Sequence, residues 1–270
     1  MINNFSQIFD QIYMENINNI ENSKKIYMKY SKNKKIFTLK KVLLCAACII
    51  TLPIFPILNK IFDANNYDMQ NGIERIYYDI ASNNEEYDVE RFSSHNLIEI
   101  PINENKYNLK LSNVFTVIEE TYYDVNDKIK RRIENVFGGM VGMVRLPFNI
   151  NSKLVITEKN VKNNLVELDM KEFEKKFNVS ANNEVIAFQI LTADVMQKLI
   201  DMEDKDYNTK FDIVVNNDIL YIRFHNKTVF NFRMDKNINK KLYLESIENL
   251  EIVKNTSEDI LNIVLNSNIG

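Results

Sequence analysis

The chain has no tryptophan, two histidines, two cysteines and only five glycines among 270 residues. Each scarcity removes a class of chemistry. A structural zinc site needs four ligands. Cys45 and Cys48 sit together in CAAC, and neither His95 nor His225 adjoins them in sequence. With both cysteines in one apolar run, the rest of the chain has no thiol for a disulfide and carries no redox clue to its compartment. The one glycine cluster, FGGMVG at 137–142, lacks the Lys-Ser/Thr pair that completes a phosphate-binding loop. Gly138 and Gly142 have GxxxG spacing, but that pattern marks helix pairing only inside a membrane helix, and this segment reads as strand. A bulge or close backbone packing is expected there. Ser93 and Ser94 precede His95 without a glycine elbow. The carboxylates show no spacing that suggests a paired acid and base. The sequence therefore offers no catalytic, cofactor-binding or metal-ligating residue, and both histidines read as structural. No cofactor is implied, and the reading leans away from an enzyme.

Charge is unevenly placed. Residues 1–41 carry eight lysines against Asp10, Glu15 and Glu21, a balance of +5. Residues 42–58 carry none, so the total of −3 leaves −8 for residues 59–270. An acidic domain repels phosphate backbones, so no nucleic-acid partner is expected.

Long apolar runs are also absent, with one exception: KKVLLCAACIITLPIFPILNKIF at 40–62. Val42 to Leu58 is uncharged over 17 residues. As a helix it reaches roughly 25 Å against a hydrocarbon core of about 30 Å, and Ile61 and Phe62 extend it if Lys60 snorkels. Its ten Val, Leu, Ile and Phe residues contribute on the order of 3 to 6 kcal/mol towards insertion. Pro53 and Pro56 kink the second half without ending it. A cleaved signal fits poorly, because 41 residues precede the run and no small-residue site follows it. The expectation is a transmembrane anchor over 42–62, with the lipid bilayer as one partner. Eight lysines precede the run and only Lys60 follows before Arg75, which predicts a cytoplasmic N-terminus and residues 63–270 across the cell membrane.

The remaining organisation follows from periodicity. Residues 1–41 form a basic juxtamembrane segment, with Ile2, Phe5, Ile8, Phe9, Ile12, Tyr13 and Ile20 near one face of an amphipathic helix. That helix either packs on a neighbour or lies in the interface near anionic lipid. Residues 63–94 read as a polar linker, and 95–270 as a C-terminal domain. Tyr107–Tyr123 and Lys128–Phe148 are strand-like around an Asp124–Asp127 turn, a register that sets Glu119 opposite Arg132 and Glu120 opposite Arg131. That pairing accounts for the KIKRR run at 128–132. Lys153–Glu158 is a further strand. MKEFEKKF (170–177) is helical, and Thr192 caps a helix from Ala193 to about Glu203. Phe211–Val215 and Ile219–Phe224 form a hairpin across Asn216-Asn217-Asp218. A last helix runs over about 238–266. The predicted class is α+β, an antiparallel sheet with helices packed on one side, preceded by the amphipathic helix and one transmembrane helix.

Several ordered blocks carry a resemblance: Phe137-Gly138-Gly139-Met140-Val141, Lys153-Leu154-Val155-Ile156-Thr157, Glu172-Phe173-Glu174-Lys175-Lys176-Phe177, Asn182-Asn183-Glu184-Val185, Ile190-Leu191-Thr192 and Ile219-Leu220-Tyr221-Ile222. Over about 105–265 the chain resembles the bacterial membrane-protein family called domain of unknown function 3137. The resemblance implies an N-terminal helix, hydrophobic anchor segments and a C-terminal α+β domain, and it supplies no activity and no site residue. Members often have two adjacent spans where this chain shows one, and Phe188-Gln189 stands where an Arg-Tyr pair is common. A double-spanning or re-entrant anchor would put both ends in the cytoplasm. The functional expectation is a membrane-tethered interaction or accessory domain with an unknown protein partner. The alternative is a small-molecule or lipid sensor, which calls for a deep apolar pocket in the β-rich block. Oligomeric state is left open.

Overall fold

A computed structural model describes residues 58–59, 62–68, 70–82, 91–123, 128–158, 165–204, 210–230 and 240–267. The amphipathic helix read over 2–20, the CAAC motif, the Asp124–Asp127 turn and most of the apolar run lie outside them. No helix among the described residues is long and apolar enough to cross a membrane.

Among the described residues, eight strands form one antiparallel sheet in the order β1-β2-β3-β4-β8-β7-β5-β6. They are β1 (Asn66–Asp68), β2 (Arg91–Ile102), β3 (Tyr107–Tyr123), β4 (Ile129–Arg145), β5 (Lys153–Thr157), β6 (Asn178–Ala181), β7 (Phe211–Asn216) and β8 (Ile219–His225). The helices are α1 (Arg75–Ala81), α2 (Lys171–Lys176), α3 (Glu184–Ile190), α4 (Ala193–Asp204) and α5 (Lys240–Leu265). The α+β class and the antiparallel sheet are as expected.

Period-two alternation divides the strands between two cores. Ile98, Ile100, Leu109, Leu111, Phe211, Ile213, Ile222 and Phe224 belong to the larger one, together with Phe173, Leu199, Leu250 and Leu261 from α2, α4 and α5. Val114, Phe137, Val141, Val214 and Tyr221 belong to a second core, closed by Tyr78 and Ala81 of α1. Helices therefore lie on both faces, four on one and α1 on the other, rather than on one side. The stretch 63–94, read as a polar linker, supplies β1, α1 and the start of β2. Its polarity reflects an edge strand and a half-covered helix.

Two buried asparagines tie the chain after β8 to the larger core. Asn113 accepts from the Val229 N–H at 3.0 Å and donates to the Val229 carbonyl at 2.6 Å. Asn96 donates to the same carbonyl and accepts from the Tyr67 hydroxyl at 3.0 Å. Each polar group is satisfied, so neither carries the penalty of an unpaired buried amide.

Both hairpins differ from the expected register by one residue. In β7–β8, Asn216 pairs with Ile219, leaving the two-residue turn Asn217-Asp218. Asn217 adopts φ 56°, which asparagine tolerates and a tight hairpin requires. In β3–β4, Tyr123 pairs with Ile129, so five residues make the connection. Glu119 then opposes Ile133, and Glu120 opposes Arg132, correcting the pairing of Glu119 with Arg132 and Glu120 with Arg131. A register slip of one residue exchanges faces. Val136 is an extra residue between the pairs Thr116–Phe137 and Val117–Asn135, a β-bulge beside the glycine cluster. At Gly139 an added Cβ would stand 2.0 Å from the Phe224 carbonyl oxygen, so close backbone approach excludes a side chain there.

Candidate functional site: the β3–β4 arm and its buried base

Among the described residues, β3 and β4 outrun the rest of the sheet. The described β2 ladder reaches Arg91–Val117, where the described part of β2 begins, and the β8 ladder reaches Gly139–His225. Among the described residues no strand other than β4 pairs with β3 beyond Val117. The two strands continue together to Tyr123–Ile129 as an arm about 20 Å long, taking about 3.4 Å per residue. Apolar side chains are exposed along it: Tyr122 at 47%, Tyr123 at 70%, Ile129 at 64% and Ile133 at 60%. Tyr123 and Ile129 are cross-strand partners, and Ile133 follows Ile129 on the same face at even spacing. The exposed Lys128, Lys130 and Arg132 alternate with Ile129 and Ile133, and the exposed Arg131 lies between those two on their face. A two-stranded ribbon is marginal in water by itself. Large apolar groups held out on one are the mark of a surface that a partner covers.

The arm leaves the body over a polar cluster on the α1 face. Asp212 is 4% exposed, and its Oδ2 receives Arg223 Nη2 at 3.1 Å and lies 2.7 Å from His225 Nε2. The Arg223 guanidinium stacks over the Phe137 ring at 4.9 Å and near the Tyr78 ring at 5.9 Å. Phe137 also meets His225 edge-on at 5.4 Å. Tyr78 bonds Thr116 at 3.2 Å, linking α1 to β3. Burial alone would raise the Asp212 pKa. The His225 hydrogen bond and the charges of Arg223 and His225 outweigh it and hold the carboxyl below the usual range. Burial pushes the Tyr78 hydroxyl up, against the pull of Arg223, and raises Tyr221 to about 12.

A carboxylate–imidazole pair orients a ring nitrogen, as in acid–base sites. Among the described residues the His225 ring meets Asp212 and Phe137, and no hydroxyl or thiol is bonded to it for activation. The arrangement is suited to clamping β7, β8 and α1 together beneath the arm. His95 stands apart, stacked on Phe115 at 5.6 Å, with burial lowering its pKa. Among the described residues no group of three metal-ligating side chains occurs.

The sequence reading missed the Asp212 cluster for a definite reason. A three-residue turn would set Asp212 opposite Ile222, whereas the two-residue turn sets it opposite Arg223. Counting the hairpin from Asn217-Asp218 was the available signal.

A depression of about 480 Å³ lies at the opposite end of the sheet, lined by Asp63, Asn65, Pro101, Asn105, Lys106, Tyr107 and Asn108. Its lining is mostly polar, unlike the apolar pocket a lipid sensor calls for.

The sheet, its helices and the arm define an α+β antiparallel-sheet domain. Residues 135–261 match the model of the family described as protein of unknown function (DUF3137), in line with the resemblance read from the sequence. No curated protein matches the chain. Among solved structures, the crystal structure of the mycobacterial trehalose monomycolate transport factor A, TtfA, aligns at 9% identity with a TM-score of 0.37, over 73% of this chain and 88% of that one. A likeness that weak carries no functional argument.

Proposed function

We propose that this protein is a membrane-anchored, non-enzymatic interaction or accessory domain that presents the β3–β4 arm to a protein partner. The carrying observation is the set Tyr122, Tyr123, Ile129 and Ile133, exposed on a ribbon outside the sheet and supported by a rigid base. A protein fits better than lipid because the arm offers backbone edges as well as side chains, so an extended segment can add to it as a strand. Its charge also disfavours anionic lipid: residues 118–134 hold five acids against four bases. Photocrosslinking in native membranes from Tyr123 and from Lys198 on α4 tests this. Protein adducts specific to Tyr123 are expected, and lipid adducts alone would overturn the reading.

The anchor rests on the uncharged run and its flanking lysines. Leu58 and Phe62 are buried in the larger core at 0% and 6%, so in this reading the lipid-facing part is 42–57 rather than 42–62. The N-terminus lies in the cytoplasm and the domain across the cell membrane. A reporter fused at Gly270 is expected to behave as non-cytoplasmic, and activity confined to the cytoplasm would favour a re-entrant or double-spanning anchor. The sensor reading ranks second, because the depression described is polar.

A further inference from the structure

The way the chain enters the domain fixes how an anchored domain would stand. Leu58 and Asn59 are helical, and so is Phe62. Leu58, Phe62 and Ala64 are all buried in the larger core. The Asp63 N–H donates to the Asn59 carbonyl at 3.0 Å, and Asn59 Nδ2 donates to the Ala64 carbonyl at 3.2 Å. The next residue, Asn65, already donates to the Glu99 carbonyl at 2.7 Å beside β1. Leu58, at the end of the uncharged run, is thus already packed in the domain, and the first sheet bond follows at Asn65.

That entry lies at one end of the sheet. Asp63 and Asn65 line the same depression as Asn105 and Lys106 of the β2–β3 turn and Asn108 at the start of β3. The turn is stiffly held. Asn103, Glu104 and Asn105 all have φ between 51° and 66°, the Asn103 N–H donates to Glu258 Oε1 of α5 at 3.0 Å, and Asn103 Nδ2 donates to Asn262 Oδ1 at 3.2 Å. The exposed groups here are Asp63, Asn65, Glu104, Asn105, Lys106 and Asn108. They are hydrogen-bonding groups with one net negative charge, suited to a polar, zwitterionic surface. β3 runs from this turn to the arm tip in 17 residues, about 50 Å at about 3.3 Å each.

We propose that the β2–β3 turn end of the domain rests on the lipid headgroups of the bilayer that holds residues 42–57, and that the arm tip stands about 50 Å from that surface. This rests on the anchored reading given above. The charged arm then faces away from its own membrane and towards partners that approach from the far side.

The test uses the full chain, with Cys45→Ser and Cys48→Ser, in phosphatidylcholine vesicles containing headgroup-spin-labelled lipid. One fluorophore is attached through Asn105→Cys or through Lys130→Cys. Flotation with the vesicles is measured first, because its failure would overturn the anchor and with it this orientation. Given flotation, strong quenching at 105 and none above baseline at 130 is expected. Equal quenching at both sites, or quenching at 130 alone, would overturn the orientation while leaving the anchor standing. A flexible Gly-Ser insertion between Ile57 and Leu58 is expected to reduce the quenching at 105 and preserve flotation. Unchanged quenching with the insertion would also count against the rigid mount.

Discussion

The two faces of the sheet are held by different physics. Under α2, α4 and α5 the contacts are almost wholly apolar, and the two asparagines there bond backbone. Under α1 an ion-paired carboxylate, a stacked guanidinium and a hydroxyl pair sit among the aromatic rings. Burial of apolar surface is non-directional and supplies most of the stability. Paired charges gain less net energy, because desolvation opposes their attraction, but they penalise wrong partners. The first face thus stabilises the fold, and the second fixes how β7, β8 and α1 meet beneath the arm.

Substitutions on each face separate the two contributions. Phe224→Ala removes a fully buried ring from the larger core and is expected to cost about 3–5 kcal/mol by chemical denaturation. A cost below that of a surface substitution would mean the larger core is not the main support. Asp212→Ala leaves Arg223 and His225 without their carboxylate. Because both are 15–19% exposed, the loss is expected near the lower end for such pairs, about 2–3 kcal/mol. The Asp212 pKa is depressed on folding, so its stabilisation is complete above the unfolded value of 3.8 and is lost as pH falls through the lower folded value. The wild type should therefore lose stability more steeply than Asp212→Asn as acid is added below about pH 4. Parallel profiles would remove Asp212 from the account. Tyr78→Phe deletes only the hydroxyl that meets Thr116 and is expected to cost about 1 kcal/mol. A loss as large as that of Phe224→Ala would show that α1 contributes far more than a clamp.

Much of the sheet was legible because alternation survives where one face is buried. β3 was bounded correctly at Tyr107–Tyr123, and α2 was found from KEFEKK. The Thr192 cap was readable too, its Oγ1 accepting from the Val195 N–H at 3.4 Å. What stayed hidden was turn parity. Asn216-Asn217-Asp218 reads equally as two or three turn residues, and that one residue decides whether Asp212 meets Arg223 or Ile222. The second face was hidden as well, since α1 is short and its Tyr78 and Ala81 sit in a polar stretch without helical periodicity long enough to detect. The arm was legible as strands but not as an arm. Nothing local in Tyr122, Tyr123, Ile129 or Ile133 says that the described parts of β2 and β8 do not reach them.

Leu58 joins the same apolar cluster as Leu261 and Val264, near the other end of the chain. On a ribosome the N-terminal half of that cluster emerges long before α5 is made, and closure over so large a sequence separation is slow. An apolar run that reaches lipid early would hold the nascent domain at the bilayer with its helix-side face still open. Newly made chains would then depend on prompt completion of synthesis, or on a chaperone, during that interval.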